Sequence, residues 1–217
     1  TEDWQLTDTE KVRYYLDGEA LTEVEPAADA TRSYTSDPNN PVPYDSVTDH
    51  RRREYMLAEQ NFADGREDVL SYTTEPLEAD VTFVGEVIAS LDVAISTTDA
   101  DFVVRVIDVF PEDDAQKPNY QMLVRAEPMR ARYRNSFSNP VPMVPNEKAT
   151  IRYALPDIAH TFKAGHRIKV AVQSSWFPLA EFSPQQYVDL WSCGSEDFVS
   201  ADIDVYNSST ITFNAVK

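Results

Sequence analysis

Hydrophobic and polar residues alternate with a period of two along much of this chain, most clearly between His166 and Ser174. There Ile168, Val170 and Val172 fall on one side of an extended backbone and Arg167, Lys169 and Gln173 on the other, as in a strand with one face on a core. Gly165 supplies a turn before it. After it, Ser174-Ser175-Trp176-Phe177-Pro178 combines hydroxyls, two large aromatics and a strand-ending proline. That combination fits either a corner of the core or the wall of a pocket.

The same periodicity predicts strands elsewhere. Val12 to Leu16 runs into the turn Asp17-Gly18, Val69 to Thr74 ends before Pro76, and Val81 to Ile95 is a long apolar run interrupted at Gly85, as two strands or as one with a bulge. In Asp101 to Phe110, Phe102, Val104, Val106 and Phe110 share one face and Val103, Ile107 and Val109 the other, which predicts a strand covered on both sides. Tyr120 to Ala126, Met129 to Tyr133, Thr150 to Leu155 and Thr210 to Val216 continue the series. Tyr34 to Tyr44 holds Pro38, Pro41 and Pro43 and reads as an ordered, extended surface loop; Asn139 to Pro145 is a second proline-rich turn. Asp49 to Asn61 is the one helical segment expected, although its apolar spacing around Tyr55, Met56 and Leu57 is poor. About nine or ten strands and few helices predict an all-β fold of two packed antiparallel sheets, most simply a jelly roll.

Composition narrows the function more than the fold. The 217 residues, 42% hydrophobic, suffice for one substantial core, while 19 basic residues against 37 acidic ones leave a net charge of −18. That balance argues against nucleic acid and anionic membrane surfaces as partners. Cys193 is the sole cysteine, so neither an intrachain disulfide nor a thiolate metal cluster can form. No apolar run approaches the ~20 residues of a membrane span. Thr1-Glu2-Asp3-Trp4 resembles no signal peptide and reads as the start of an excised piece of a longer protein, a processed chain or a designed one. The compartment stays open.

Candidate chemistry is sparse. The strained Gly-x-Ser-x-Gly turn of an α/β-hydrolase nucleophile does not occur, and Gly194-Ser195-Glu196 lacks its second glycine. His50, His160 and His166 are the whole imidazole supply, and the last two are too loosely spaced for a zinc signature, so structural hydrogen bonding is expected of them. Asp99, Asp101, Asp108, Glu112, Asp113 and Asp114 are oxygen ligands of the kind calcium takes, but without a ligating loop motif they read as solvated turn charges. No catalytic residue, metal or cofactor is expected. The aromatics Tyr44, Trp176, Phe177, Phe182, Tyr187 and Trp191 suit either core packing or a stacking platform for a sugar or aromatic ligand.

Several stretches, in order along Val12 to Phe213, also carry a family likeness. Tyr34-Thr-Ser-Asp-Pro-Asn-Asn-Pro-Val-Pro43, Asp64-Gly-Arg-Glu-Asp-Val-Leu-Ser-Tyr-Thr-Thr-Glu-Pro-Leu77, Asp101-Phe-Val-Val-Arg-Val-Ile-Asp-Val-Phe-Pro111, Arg130-Ala-Arg-Tyr-Arg134 and His160 to Leu179 together resemble the C-terminal domain of the cocaine esterase and X-Pro dipeptidyl-peptidase family of serine hydrolases. Within it, the α-amino acid ester hydrolases and glutaryl-cephalosporanate acylases look nearest. Glu59-Gln60-Asn61 and Phe182-Ser183-Pro184 depart from the family's polar runs at those places.

The resemblance implies that residues 1–217 form a single galactose-binding-like jelly-roll β-sandwich with one short helical segment, the C-terminal part of a longer hydrolase whose α/β-hydrolase domain is absent from this chain. It further implies a non-catalytic role, packing on the parent's α/β-hydrolase and cap domains, with Tyr44, Trp176 and Phe177 on the rim of a pocket for a small ester or amide substrate. A homo-oligomeric parent is compatible with it. The alternative is a carbohydrate-binding β-sandwich module, since a fold alone never assigns a function.

Overall fold

Strand β5, Val81–Ile95, organises the architecture, because its two edges are used by three partners. Along one edge it pairs over nearly its whole length with β8, Ala149–Phe162. Along the other it pairs first with β11, Thr210–Val216, and then near Ile95 with β10, Ala201–Tyr206. Gly85 sits at φ +78, a conformation open to glycine, where the pairing with β8 shifts register. The run is therefore one bulged strand.

The remaining strands extend this centre into two layers. β1, Thr9–Asp17, lies beside β11, and β3, Thr31–Ser36, beside β10. The second layer is the antiparallel set β4, Leu70–Thr73, then β9, Arg167–Gln173, β6, Asp101–Val109, and β7, Gln121–Arg130. Short β2, Ala20–Thr22, pairs with the end of β1 and makes one parallel bridge, Ala20 to Thr73, so a single hydrogen-bonded sheet folds over to become both layers of a β-sandwich. The structure is a computed structural model and describes residues 8–47, 49 and 53–217.

Alternation decides what fills the space between the layers. Phe83, Val87, Leu91 and Phe213 from one layer meet Phe102, Val104, Val106, Ile168, Val170 and Val172 from the other, all buried. The hydroxyl of Tyr153 on β8 reaches across to donate to the carbonyl of Phe102 on β6 at 2.9 Å.

A second, smaller core lies on the outer face of β6 and β9. Val103, Ile107 and Ala171 are covered there by Val42, Tyr44, Ala63, Val69 and Trp176, contributed by the long connection before β4 and the segment after β9. The two-sided burial expected of β6 is thus observed. β9 departs from its half-buried pattern, because Lys169 and Gln173 on its polar face are buried beneath the same cover. Lys169 survives there by donating to the carboxylate of Asp64 and to Gln121 Oε1. The expected surface loop Tyr34 to Tyr44 likewise begins inside edge strand β3 and ends with Val42 and Tyr44 buried.

The expected helical segment resolves into two 3-10 turns, Arg53–Leu57 and Gln60–Ala63, in keeping with its poor apolar period; His50, Arg51 and Arg52 lie outside the described residues, as does Thr1 to Trp4. The two runs expected at Tyr120 to Tyr133 are one strand, β7, closed by a 3-10 turn at Ala131–Tyr133.

Candidate functional site

The register places the start of β1 and the end of β11 at one end of the sandwich and the aromatic loops at the other. Thr9 opposes Val216 beside the start of β5, whereas Ser96–Ala100, Arg130–Pro145 and Ser174–Ser200 gather beyond its end at Ile95. Two stretches distant in sequence meet there. The backbone N–H of Tyr44 donates to the carbonyl of Phe177 at 3.0 Å, and that of Phe177 to the carbonyl of Val42 at 3.2 Å, making a short parallel bridge.

This bridge brings Tyr44, Trp176 and Phe177 together, but into different surroundings. Trp176 is 6% exposed, edge-on to Tyr55 at 6.0 Å, and Tyr55 in turn meets Tyr44 at 5.7 Å. Both bulky rings of the bridge are therefore packed into the second core. Phe177 turns outward and is 44% exposed. From it a row of rings continues through Phe182 at 6.2 Å to Phe198, stacked on Phe182 at 5.7 Å. Phe198 had no sequence signal, standing alone after an acidic turn without periodicity.

The segments carrying these rings are held by the arginines of Arg130-Ala-Arg-Tyr-Arg134. Arg130 forks onto Asp101 at 2.7 and 3.0 Å. Arg132 pairs with the fully buried Asp99 through Nε at 2.5 Å, and its two terminal nitrogens donate to the carbonyls of Val188 and Gln186, each at 2.9 Å, beneath the ring of Tyr187. Arg134 donates to the carbonyls of Val141 and Pro142, each at 2.9 Å. Burial pushes the carboxyls of Asp99 and Asp101 above the usual carboxylate value even though their arginines pull the other way. The motif is thus a clamp on two loops, one of which presents Trp191, 98% exposed, through a turn in which Asp189 accepts from the backbone of Trp191 and from the Ser192 hydroxyl.

At the opposite end of the sandwich, buried Asp108 is hydrogen-bonded to both imidazoles, to His160 Nε2 at 2.9 Å and to His166 Nδ1 at 2.8 Å. The histidines are structural partners of one carboxylate, as their spacing suggested. Ser195 lies beyond β9, in the loop before β10, remote from them. Asp114 caps its own turn by accepting from the backbone of Gln116 and Lys117. Among the described residues no cluster of histidine, cysteine and carboxylate side chains is placed to hold a metal, and no helix is long and apolar enough to cross a membrane.

One buried cation escaped the sequence reading. Arg105, on the outer face of β6, is 1% exposed, donates to Gln60 Oε1 at 2.8 Å and lies over the ring of Phe62. Its Nε has no hydrogen-bond partner among the described residues, and burial lowers the guanidinium to a pKa of about 10. Gln60, at the centre of the Glu59-Gln60-Asn61 run, is what receives it.

The strand order and the clamped aromatic loops define the class as an all-β sandwich domain. The particular family is established by comparison: residues 1–191 match the X-Pro dipeptidyl-peptidase C-terminal non-catalytic domain, and the chain belongs to that family. It is similar to the cocaine esterase of Rhodococcus sp. (strain MB1 Bresler), with 30% identity over an aligned length of 187 residues and coverage of 81% of this chain and 32% of the esterase. Among solved structures it resembles an aminopeptidase from a marine sediment Thaumarchaeota archaeon, with 33% identity, a TM-score of 0.93, and coverage of 100% of this chain and 38% of that one. An α-amino acid ester hydrolase is similarly close, with 36% identity, a TM-score of 0.88, and coverage of 94% and 36%. The chain thus spans about a third of the length of these relatives.

Proposed function

We propose that this chain is the accessory β-sandwich of a serine acyl hydrolase, one that cleaves an ester or amide bond through an acyl-enzyme formed in a separate catalytic domain. Its aromatic end packs on that catalytic domain and its cap, and Phe177 contributes to the wall of the acyl pocket, with Tyr44 and Trp176 as the rigid backing that fixes its direction. The observation that carries this reading is the row of rings that starts at exposed Phe177 and runs back through half-buried Phe182 and Phe198 on a clamped scaffold. An apolar row held at the surface by buried neighbours is characteristic of a covered surface. The chain's one-third share of its relatives leaves room for the domain that covers it.

The test joins the chain to its catalytic domain. Phe177→Ala should raise KM and alter acyl-group preference more than it lowers kcat, because a wall residue binds substrate without touching the reacting atoms. The isolated chain should neither turn over p-nitrophenyl acetate nor take a fluorophosphonate label. A labelled serine in this chain, or unchanged kinetics in Phe177→Ala, would defeat the proposal. The full exposure of Trp191 supports a second reading, a carbohydrate-binding module; tryptophan emission that does not saturate with added neutral oligosaccharide removes it.

A further inference from the structure

On the outer face of the first layer, away from the aromatic end, β8, β5, β11 and β1 lie side by side beneath the connection between β2 and β3 and enclose a groove of about 410 Å³. Its floor follows from the register. Tyr15, Thr210, Ser90 and Arg152 are successive partners across the four strands, and in the next row Arg13 opposes Thr212. Arg13 and Arg152 thus stand three strand spacings and one row apart, about 16 Å between backbones, and line the groove from its two sides with hydroxyls between them.

The distinguishing feature is that neither arginine is engaged. Among the described residues Arg13 and Arg152 make no hydrogen bond or ion pair, nor does exposed Arg53 outside the groove, whereas Arg32, Arg66, Arg105, Arg125, Arg130, Arg132, Arg134 and Arg167 each hold a carboxylate, an amide or a carbonyl. A larger surface depression of about 650 Å³ beside β4 and β9 shows the contrast, because its cations are already committed, Arg66 to Asp68, Arg167 to Thr74 and Lys169 to Asp64. In a chain of net charge −18, two uncommitted guanidinium groups lining one groove are unlike their surroundings.

The rim is fixed in advance. Asn207, itself part of the lining, donates to the carbonyl of Ala28 at 3.0 Å and to Asp17 at 3.1 Å, and accepts from the backbone of Ala30 at 3.1 Å, which pins the overhanging connection. That connection adds the carboxylates of Glu25 and Asp29. Guanidinium forks bind oxyanions, while hydroxyls, an amide and rim carboxylates exchange hydrogen bonds with a polyol. Ile88 and Pro26 offer little apolar wall for the side chain of an amino acid.

We propose that this groove binds a small polyhydroxylated anion, a sugar acid or sugar phosphate, with Arg13 and Arg152 gripping the oxyanion and the row Ser90, Thr210 and Thr212 taking its hydroxyls. The site is separate from the aromatic end and does not depend on the acyl-hydrolase reading.

Calorimetric titration of the chain with glucuronate, glucose 6-phosphate, glucose, inorganic phosphate and glycine tests it, the first two separating a carboxylate from a phosphate source. Saturable binding of at least one sugar anion is expected, with Arg13→Gln and Arg152→Gln each weakening it about tenfold. Both positions are exposed, so the fold should be retained, which circular dichroism checks. The proposal is overturned by absence of saturable binding of both sugar anions up to about 10 mM, a range that spans weak specific sites. It is equally overturned if glucose, phosphate or glycine binds as tightly as the sugar anions, or if the two variants bind like the wild type.

Discussion

Replacing Arg132 by methionine separates a structural clamp from a decorative surface contact. Among the described residues Arg132 is the sole cationic partner of Asp99, whose side chain is fully buried, so the substitution strands a carboxylate whose protonated form burial already favours. Breaking a buried pair from one side costs about 3–5 kcal/mol. The lost donations to Gln186 and Val188 add about 1 kcal/mol each, discounted for partial exposure. A total near 5 kcal/mol is comparable with the whole stability of many domains. Urea unfolding followed by circular dichroism should show the midpoint fall by about 1.5 M or more. Arg132→Lys should lie between, because a single ammonium cannot reach the carboxylate and both carbonyls. A cycle with Asp99→Asn should give a coupling of about 2–3 kcal/mol, since the double variant no longer buries an unpaired charge. A loss below about 1 kcal/mol in Arg132→Met, or an additive cycle, would refute the clamp.

Other expectations follow from the same contacts. Arg105→Met alone should destabilise by about 1–3 kcal/mol through the stranded Gln60 carbonyl, while Arg105→Met with Gln60→Leu should match or exceed the wild type; a double variant no better than the single one, by urea unfolding, contradicts this. The Asp80 carboxyl is held below its ordinary 3.8 by its hydrogen bonds to Lys163 and the backbone of Ala164, so its stabilising contribution is present above 3.8 and lost as pH falls through the lower folded value. Asp80→Asn should therefore lower Tm slightly at pH 6 and leave it unchanged in strong acid, and a Tm gap that widens below pH 3.8 would be inconsistent with that sign. Phe177→Asp should leave the isolated chain's Tm nearly unchanged, because the ring is exposed, yet weaken its association with the catalytic domain in ultracentrifugation.

What the sequence disclosed and withheld has a physical pattern. Strands whose partners did not alter their periodicity, such as β6 and β11, could be read directly. β9 could not be read fully, because the cover over Lys169 and Gln173 comes from residues such as Val42, Ala63 and Val69, distant in the chain. β10 carried a readable alternation, Ile203 and Val205 against Asp202 and Asp204, that the flanking turns obscured. For the site, the residue types were visible, but the meeting of Tyr44 with Phe177 depends on a backbone bridge between irregular segments, and no periodicity records it. Likewise Arg130, Arg132 and Arg134 stood out as a motif, while their partners Asp99, Asp101, Gln186 and Val188 became identifiable only in three dimensions.

The pairing of β1 with β11 sets a condition on how this protein is made. Thr9 to Tyr15 cannot close their edge until Thr210 to Val216 have left the ribosome, and β5 waits on the same strand for half of one edge. Such pairing of first and last segments implies slow, late completion of folding, with earlier strands waiting in a partly formed layer. During that interval Phe83 of β5 lacks the stacked ring of Phe213, 4.5 Å away in the finished fold.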